Sequence, residues 1–174
     1  MAASTHDSWM KTIGSAFVAE NALVTGRVEM GDGVNLWPLV IIRGDIGSIR
    51  LGKRVNIQDG TIVHTDFGVE MVIEDEVCVG HRATLHGKRI GRGSLIGMGA
   101  TLLNGSDIGE ECLVAAGTLV PENRVIPPRS VVRGLPAKIV REVTEEELAH
   151  IRRINKSYFE LAAEYAAGKI PRIS

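Results

Sequence analysis

Aliphatic side chains recur at every sixth position along most of the chain. From residue 73 onward the repeat begins at Ile73, Val79, Leu85, Ile90, Ile96, Leu102, Ile108, Val114, Val120, Ile126 and Val132, and one step, Leu85 to Ile90, is five residues. Upstream the same spacing runs through Val18, Val24, Met30, Leu36 and Ile42, and then through Leu51, Ile57 and Val63. A small or modest side chain generally stands four positions after the aliphatic residue, as at Ala83, Ser94 and Ala100.

This period predicts an all-β solenoid, a left-handed parallel β-helix of hexapeptide repeats. Six residues make one short strand and one turn, and three such sides close a triangular coil of about eighteen residues. Successive coils stack at the strand spacing of about 4.8 Å, with the aliphatic residues pointing into a narrow prism. The period-two alternation of a β-sandwich does not place aliphatic residues at multiples of six.

The period changes near the C-terminus. Thr144 and Glu147 have the spacing of a helix-capping box, and apolar residues then recur at helical spacing up to Tyr165. Gly168 and Pro171 are typical helix terminators. We therefore expect one domain over residues 1–174, with the β-helix at about residues 12–143 and an α-helix at 144–168 packed along the prism.

Two insertions interrupt the repeat. The step from Ile42 to Leu51 is nine residues, three too many, and the step from Val63 to Ile73 is ten, four too many. We expect the extra residues to loop out of the coil. Because insertions in solenoids cluster on the binding face, residues 43–50 and 64–72 are the predicted location of function.

Composition and charge limit the classes of binding partner and the cellular location that we expect for this protein. The 174 residues carry a net charge of −1, so neither nucleic acid nor an anionic membrane is an expected partner. Residues 1–9 lack the apolar stretch of a secretory signal, and no apolar run approaches the roughly 18 residues of a membrane span. Cys78 and Cys112 form neither a zinc-type pair nor a disulfide framework. These features favour a cytoplasmic protein.

Three of the five histidines lie close to the second insertion: His64, His81 and His86. His6 and His150 stand in a polar tail and on the predicted helix, where we expect them to face solvent.

The register places the three histidines. His64 and His86 follow Val63 and Leu85 by one position, so they stack on the same side of consecutive coils and suit one shared metal at about 2.0–2.1 Å. His81 lies on the preceding side, up to about 17 Å along the extended chain from His86, whereas two ligands of one zinc have Cα atoms within about 12 Å. A trimer with threefold symmetry would bring His81 of one chain to the pair of the next. Three histidines with an open fourth position are typical of catalytic zinc.

The same residues carry a resemblance to a known family. The chain reads Arg43-Gly44-Asp45, then Asn56-Ile57-Gln58-Asp59-Gly60, then His64, Gly80-His81 and His86-Gly87. Over about residues 12–165 it resembles the γ-class carbonic anhydrases. The hexapeptide repeat alone is shared with many acyltransferases, so the combined motifs carry the resemblance.

The resemblance implies a homotrimer whose zinc sites lie between subunits, with His64, His81 and His86 as ligands. Zinc, or alternatively ferrous iron or cobalt, would lower the pKa of bound water, and the resulting hydroxide would hydrate carbon dioxide to bicarbonate; a pKa of about 7 is known from carbonic anhydrase itself.

Six further residues acquire roles by resemblance. They are Gln58, which orients the metal-bound water; Arg43 and Asp59, an intersubunit ion pair; Asp45 and Asn56, supporting polar residues; and Tyr158, at the rim of the site. The register agrees in part, since it stacks Arg43 on the side of His64 and His86, and places Gln58 and Asp59 on the side of His81.

The chain departs from the family prototype in its acidic residues. Ile46 stands where the prototype has a glutamate after Arg-Gly-Asp, and the loop of residues 65–72 carries only Asp66 and Glu70. The proton-shuttle carboxylates are therefore absent or displaced, which predicts low activity.

Three alternatives remain open on the sequence. A hexapeptide acyltransferase needs one histidine as a general base and binds acyl-CoA between subunits. A metal-dependent CoA thioesterase would use the same zinc site. A non-catalytic metal-binding scaffold would keep a vestigial site. Bound metal and bicarbonate-forming activity distinguish these possibilities.

Overall fold

The computed structural model describes residues 8–171. As the repeat predicts, the chain is a left-handed parallel β-helix of about six turns followed by one α-helix. Residues 1–7, which include His6, lie outside the described residues. The elements in chain order are β1 (Met10–Ile13), β2 (Ala16–Ala19), β3 (Leu23–Met30), β4 (Asn35–Leu36), β5 (Ile41–Leu51), β6 (Asn56–Ile57), β7 (Ile62–His64), β8 (Glu70–Ile73), β9 (Cys78–Val79), β10 (Thr84–Leu85), β11 (Arg89–Ile90), β12 (Leu95–Ile96), β13 (Thr101–Leu102), β14 (Asp107–Ile108), β15 (Leu113–Val114), β16 (Leu119–Val120), β17 (Val125–Ile126), β18 (Ser130–Arg133), β19 (Lys138–Glu142) and α1 (Glu145–Ala166).

The strands form three faces. The first face contains β2, β4, β6, β9, β12, β15 and β18, with β1 and β19 antiparallel at its two ends. The second face contains β7, β10, β13 and β16, and the third contains β8, β11, β14 and β17. The second and third faces belong to one ten-stranded sheet, because β3 and β5 run around the corner between them.

The repeating aliphatic residues fill the prism. Val63 pairs with Leu85, which pairs with Leu102, and all three side chains are fully buried. The residues four positions later are also buried, including Ala83 and Ala100, because the corners leave room only for small side chains.

The first insertion does not loop out as expected. β5 pairs with β3 at Ile42 and again at Leu51, and the register shifts only between Gly26 and Arg27 of β3. Residues 45–47 are therefore the three extra residues, a bulge inside a continuous strand, since the others keep their ladder hydrogen bonds. The second insertion does leave the coil, between the end of β7 and the start of β8.

The bulge and the second-insertion loop pack against each other. The Gly68 amide donates to the Ile46 carbonyl at 2.9 Å, and the Ser48 amide donates to the Val69 carbonyl at 3.2 Å. A Cβ atom at Gly47 would lie 2.3 Å from the Val69 carbonyl oxygen and 2.4 Å from Cγ2 of Thr65. Only glycine fits at this contact, which holds the loop at the corner between the second and third faces.

Helix α1 packs along the first face of its own prism. Thr144 caps it, and Glu147 completes the predicted capping box. Leu148 and Ile151 are buried against the coil, and Asn155 donates through Nδ2 to the Arg54 carbonyl at 2.8 Å. None of the described residues forms a helix long and apolar enough to cross a membrane.

Candidate metal centre

His64 and His86 lie side by side at the corner between the second and third faces. Their strands are neighbours, with Val63 opposite Leu85, so the two residues lie one above the other in consecutive coils as the register predicts, with their rings edge-on at a centroid distance of 5.0 Å. His64 Nδ1 is 2.9 Å from His86 Nε2. Two nitrogens that share a tetrahedral zinc ion lie about 3.3 Å apart, so a small side-chain movement suffices for both to bind one ion.

His81 lies at the opposite edge of the second face, in the turn between β9 and β10. Within residues 8–171 of one chain, no three His, Cys, Asp or Glu residues come together in a group able to hold a metal ion. The sharing of one metal ion by His81 of one chain and His64 and His86 of another stays a prediction.

A carboxylate lies behind each of the three imidazoles. Asp45 Oδ1 is 3.1 Å from His64 Nε2, and Asp59 Oδ2 is 2.8 Å from His81 Nδ1. Asp66 Oδ1 is 4.0 Å from His86 Nδ1, a buried nitrogen with no hydrogen-bond partner among the described residues. Histidine ligands of metals usually donate their second N–H to such a group, which fixes the ring and raises its basicity. The donor set therefore fits zinc.

Arg43 keeps the carboxylate behind His64 ionised. Its Nη1 is 2.5 Å from Asp45 Oδ2, and this hydrogen bond lowers the pKa of Asp45 to about 2. Within this chain Arg43 therefore pairs with Asp45, while Asp59 contacts His81. The Arg43–Asp59 pair implied by the resemblance is a contact between subunits and stays a prediction.

Gln58 and Asn56 belong to a buried row of side-chain amides. Gln58 Nε2 donates to Asn56 Oδ1 at 3.0 Å, and Asn56 Nδ2 donates to Asn35 Oδ1 at 2.5 Å. The indole Nε1 of Trp37 also donates to Asn35 Oδ1, at 3.0 Å. The motifs identified Gln58 and Asn56 but missed Asn35 and Trp37. The repeat carried the signal, because Asn35 and Trp37 flank Leu36 just as Asn56 and Gln58 flank Ile57 in the next coil.

Tyr158 of α1 lies between the amide row and His81. Its hydroxyl is 3.5 Å from His81 Nε2, and its ring packs edge-on against Trp37 at a centroid distance of 5.2 Å. Burial, with a smaller contribution from Asp59, raises the pKa of Tyr158 above its ordinary value of 10.0. Tyr158 thus both anchors the helix and reaches a predicted metal ligand. Its role in catalysis stays a prediction.

The two acidic residues of the second-insertion loop have different surroundings. Asp66 accepts a hydrogen bond from Asn104 Nδ2 at 3.0 Å and faces His86, whereas Glu70 lies 3.6 Å from Arg50. Around them the loop and bulge are apolar, since Ile46 is 38% exposed and Phe67 is 86% exposed. Apart from Asp45 and Asp66, which face the histidines themselves, the described part of the rim beside His64 and His86 therefore carries few groups that could accept a proton.

Curated relatives match this chain over most of its length. No family model matches the chain. A carbonic anhydrase of Geobacillus kaustophilus is 41% identical over 160 residues, which cover 92% of this chain and 88% of that protein. The chain belongs to the γ-class carbonic anhydrase-like family. The mitochondrial gamma carbonic anhydrase 2 of Arabidopsis thaliana is also 41% identical, over 157 residues, but the chain spans only 56% of its length.

Other members and solved structures carry different descriptions. The carnitine operon protein CaiE of Escherichia coli is 39% identical over 148 residues, which cover 84% of this carbonic-anhydrase-like chain and 75% of CaiE. A crystal structure described as a putative acetyltransferase of Bacillus cereus superposes with a TM-score of 0.87 at 38% identity, covering 90% of this chain and 91% of the other. Family membership therefore does not identify the reaction, which has to be inferred from the geometry of the site.

Proposed function

We propose that this protein hydrates carbon dioxide reversibly to bicarbonate, using zinc held between the subunits of a homotrimer. The observation that carries the proposal is the division of the three histidines between the two edges of the second face. His64 and His86 stand at one edge with their nitrogens 2.9 Å apart, and His81 stands at the other with its Nδ1 bound to Asp59. Each edge is an incomplete zinc site that the opposite edge of a neighbouring chain would complete.

A threefold arrangement joins opposite edges of the same face. Such contacts are heterologous, and a rotation of 120° closes them into a ring. Three outward side chains between the two edges are apolar, since Leu23, Ile41 and Ile62 form a row in register and are 55%, 37% and 44% exposed. An apolar row of this kind favours burial in an assembly.

In the proposed reaction His64, His81 and His86 hold the ion. When bound, zinc supplies a nucleophile at neutral pH by lowering the pKa of water to about 7, a value known from carbonic anhydrase itself. Gln58 offers Oε1 as the acceptor that orients the attacking O–H, because its Nε2 is already bonded to Asn56. Asp45 and Asp59 fix the rings of His64 and His81 through their second nitrogens.

Metal content tests the site. Anaerobically purified protein should contain about one zinc, iron or cobalt per chain, and His81→Ala should lose it. His150→Ala is the matched control, because His150 is exposed on α1. Stopped-flow hydration of carbon dioxide should follow the metal content. Absence of metal after reconstitution with all three ions would refute the proposal.

The likeness to a putative acetyltransferase favours a second candidate, acyl transfer from CoA. A hexapeptide acyltransferase would retain activity in metal-free protein and lose it on replacement of a single general-base histidine. A metal-dependent CoA thioesterase would share the metal but hydrolyse acyl-CoA. A scaffold would bind metal and catalyse neither reaction. Assays of carbon dioxide and acetyl-CoA on the same metal-loaded sample distinguish these outcomes.

A further inference from the structure

We propose that Trp37 is a positioning residue that sets the orientation of the Gln58 amide through Asn35 and Asn56. The relay is the set of four hydrogen bonds of this chain through which Trp37 is connected to Gln58. Only the catalytic consequence of the relay rests on the proposed function. These residues lie outward on the first face, in two adjacent coils. Asn35 and Asn56 are fully buried and Gln58 is 5% exposed, so water cannot substitute for a lost partner.

The polarity of the relay is fixed at Asn35. An indole N–H can only donate and a backbone carbonyl can only accept. Trp37 Nε1 donates to Asn35 Oδ1 at 3.0 Å, and Asn35 Nδ2 donates to the Gly33 carbonyl at 3.2 Å. Rotating the Asn35 amide by half a turn would place its NH₂ against the indole N–H and its oxygen against the Gly33 carbonyl. One orientation is therefore allowed.

That orientation propagates to Gln58. Because Asn35 presents oxygen, Asn56 turns Nδ2 toward it, at 2.5 Å. Asn56 Oδ1 then faces Gln58 and accepts from its Nε2 at 3.0 Å. Gln58 Oε1 is left facing away, and none of the hydrogen bonds among the described residues ends on it. The relay thus delivers an acceptor, rather than a donor, to the neighbourhood of the proposed zinc site.

An acceptor and a donor at this place have opposite effects on the reaction. An acceptor aligns the O–H of an attacking water or hydroxide. A rotated Gln58 would present NH₂, which stabilises a bound anion such as bicarbonate and opposes its release. Without the Trp37 donor, only the 3.2 Å hydrogen bond from Asn35 Nδ2 to the Gly33 carbonyl still favours this orientation, so the alternative orientation of the amide chain becomes populated as well. Trp37 would therefore govern turnover although it does not contact substrate.

The test variant is Trp37→Phe in the full-length protein. Phenylalanine keeps an aromatic ring against Tyr158 and Tyr165 and removes the N–H donor. Trp9→Phe is the matched control, because Trp9 packs edge-on against Tyr165 at 4.6 Å and donates no hydrogen bond among the described residues. We expect Trp37→Phe to keep its metal, lose about tenfold in kcat and bind bicarbonate more tightly, while Trp9→Phe keeps the wild-type values.

Side-chain amide NMR supplies a readout that does not depend on activity. In ¹⁵N-labelled protein the Asn56 and Gln58 NH₂ groups should each give one pair of resonances in wild type and in Trp37→Phe/Asn35→Asp. In that double variant the carboxyl group at position 35 is protonated on the oxygen that faces the Gly33 carbonyl, to which it donates, and its other oxygen only accepts, which restores the polarity that the indole imposed. Trp37→Phe alone should show doubled or exchange-broadened pairs.

The outcomes separate the inference from the proposed function. Doubled resonances in a protein without hydration activity would support the relay and count against the reaction. Single resonances in Trp37→Phe with an unchanged kcat would overturn the relay. Equal losses of kcat in Trp37→Phe and Trp9→Phe would overturn it as well, since they indicate a role in helix packing. If Asn35→Asp does not fold, the comparison of the two tryptophan variants decides the question alone.

Discussion

Asp66 lies in the loop after His64, and two contacts define its environment. Asn104 holds one of its oxygens at 3.0 Å, and that oxygen is 4.0 Å from the buried, unpaired Nδ1 of His86. When His86 binds a metal through Nε2, Nδ1 must carry a proton and needs an acceptor. Asp66 is the carboxylate in reach.

Replacing Asp66 by asparagine should therefore weaken metal binding about tenfold, because outer carboxylates typically contribute 10–100-fold. Competition with a chromogenic chelator at neutral pH measures this affinity. Glu70→Gln is the matched control, since Glu70 lies in the same loop but faces Arg50. Equal affinities for Asp66→Asn and wild type would show that His86 needs no partner at Nδ1.

We predict that Ile46 slows the release of protons from the proposed site. It is partly exposed in the bulge, one residue after Asp45, and no carboxylate replaces the one the prototype carries there. Turnover should therefore depend on added buffer, rising with imidazole concentration at constant pH and ionic strength. Ile46→Glu should raise kcat several-fold at low buffer and reduce that dependence. A kcat in wild type that is insensitive to buffer would contradict this explanation.

At the level of elements, α1 is attached by a charged cap. Arg141 pairs with both oxygens of Glu147 at 2.8 Å, and Glu147 also accepts from the Thr144 amide at 3.0 Å. The Arg141 hydrogen bond, with the Thr144 amide second, lowers the pKa of Glu147 from 4.5 to about 2. A carboxyl group with a lowered pKa stabilises the fold above its unfolded pKa, and that contribution is lost as the pH falls through the folded value.

Glu147→Gln should thus destabilise the protein by about 0.5 kcal/mol at pH 7, and the difference from wild type should shrink between pH 4.5 and pH 2. Urea midpoints at pH 7 and pH 3, at one protein concentration, measure the effect. Glu146→Gln removes the same charge from the same helical turn. Because Glu146 itself forms no ion pair among residues 8–171, this control should lower the stability less. A pH-independent difference would argue against the Arg141 pair.

The elements also indicate how far sequence reasoning reaches. The coils were predictable because Val63, Leu85 and Leu102 must all enter one narrow prism, and the helix because Thr144 and Glu147 form a local cap. The bulge in β5 was not predictable, because the nine-residue step in the repeat does not reveal which residues keep their ladder hydrogen bonds. Only the register with β3 shows that residues 45–47 are the extra ones.

The site was predictable to the same degree. Stacking of His64 on His86 follows from one position in the repeat, and separation of His81 follows from its different side. The relay through Asn35 and Trp37 was not foreseen, because it depends on α1 covering the first face and excluding water from those side chains. The repeat marks Asn35 and Asn56 as equivalent positions, but the covering of this row by a distant helix leaves no local signal in the sequence.

At the scale of the whole molecule, assembly and metal binding should be one event. The proposed site needs two edges of the second face, so a lone chain has at most two histidine ligands for each ion. Ile62 lies midway across that face, 44% exposed and in register with Ile41. In the proposed trimer, Ile62→Glu would bring like charges together near the threefold axis, which costs several kcal/mol. Sedimentation velocity should give a monomer for this variant and a trimer for wild type.

The metal content of the monomeric Ile62→Glu variant shows whether metal binding requires assembly. We expect it to bind zinc far more weakly than wild type although His64, His81 and His86 are all retained, because two imidazoles hold zinc less tightly than three. Val125→Glu is the control, since Val125 is 65% exposed on the third face, away from the proposed interface. A monomeric Ile62→Glu variant with a full complement of metal would place the site within one chain. A trimeric variant without metal would separate assembly from metal binding and leave the second face without its proposed role.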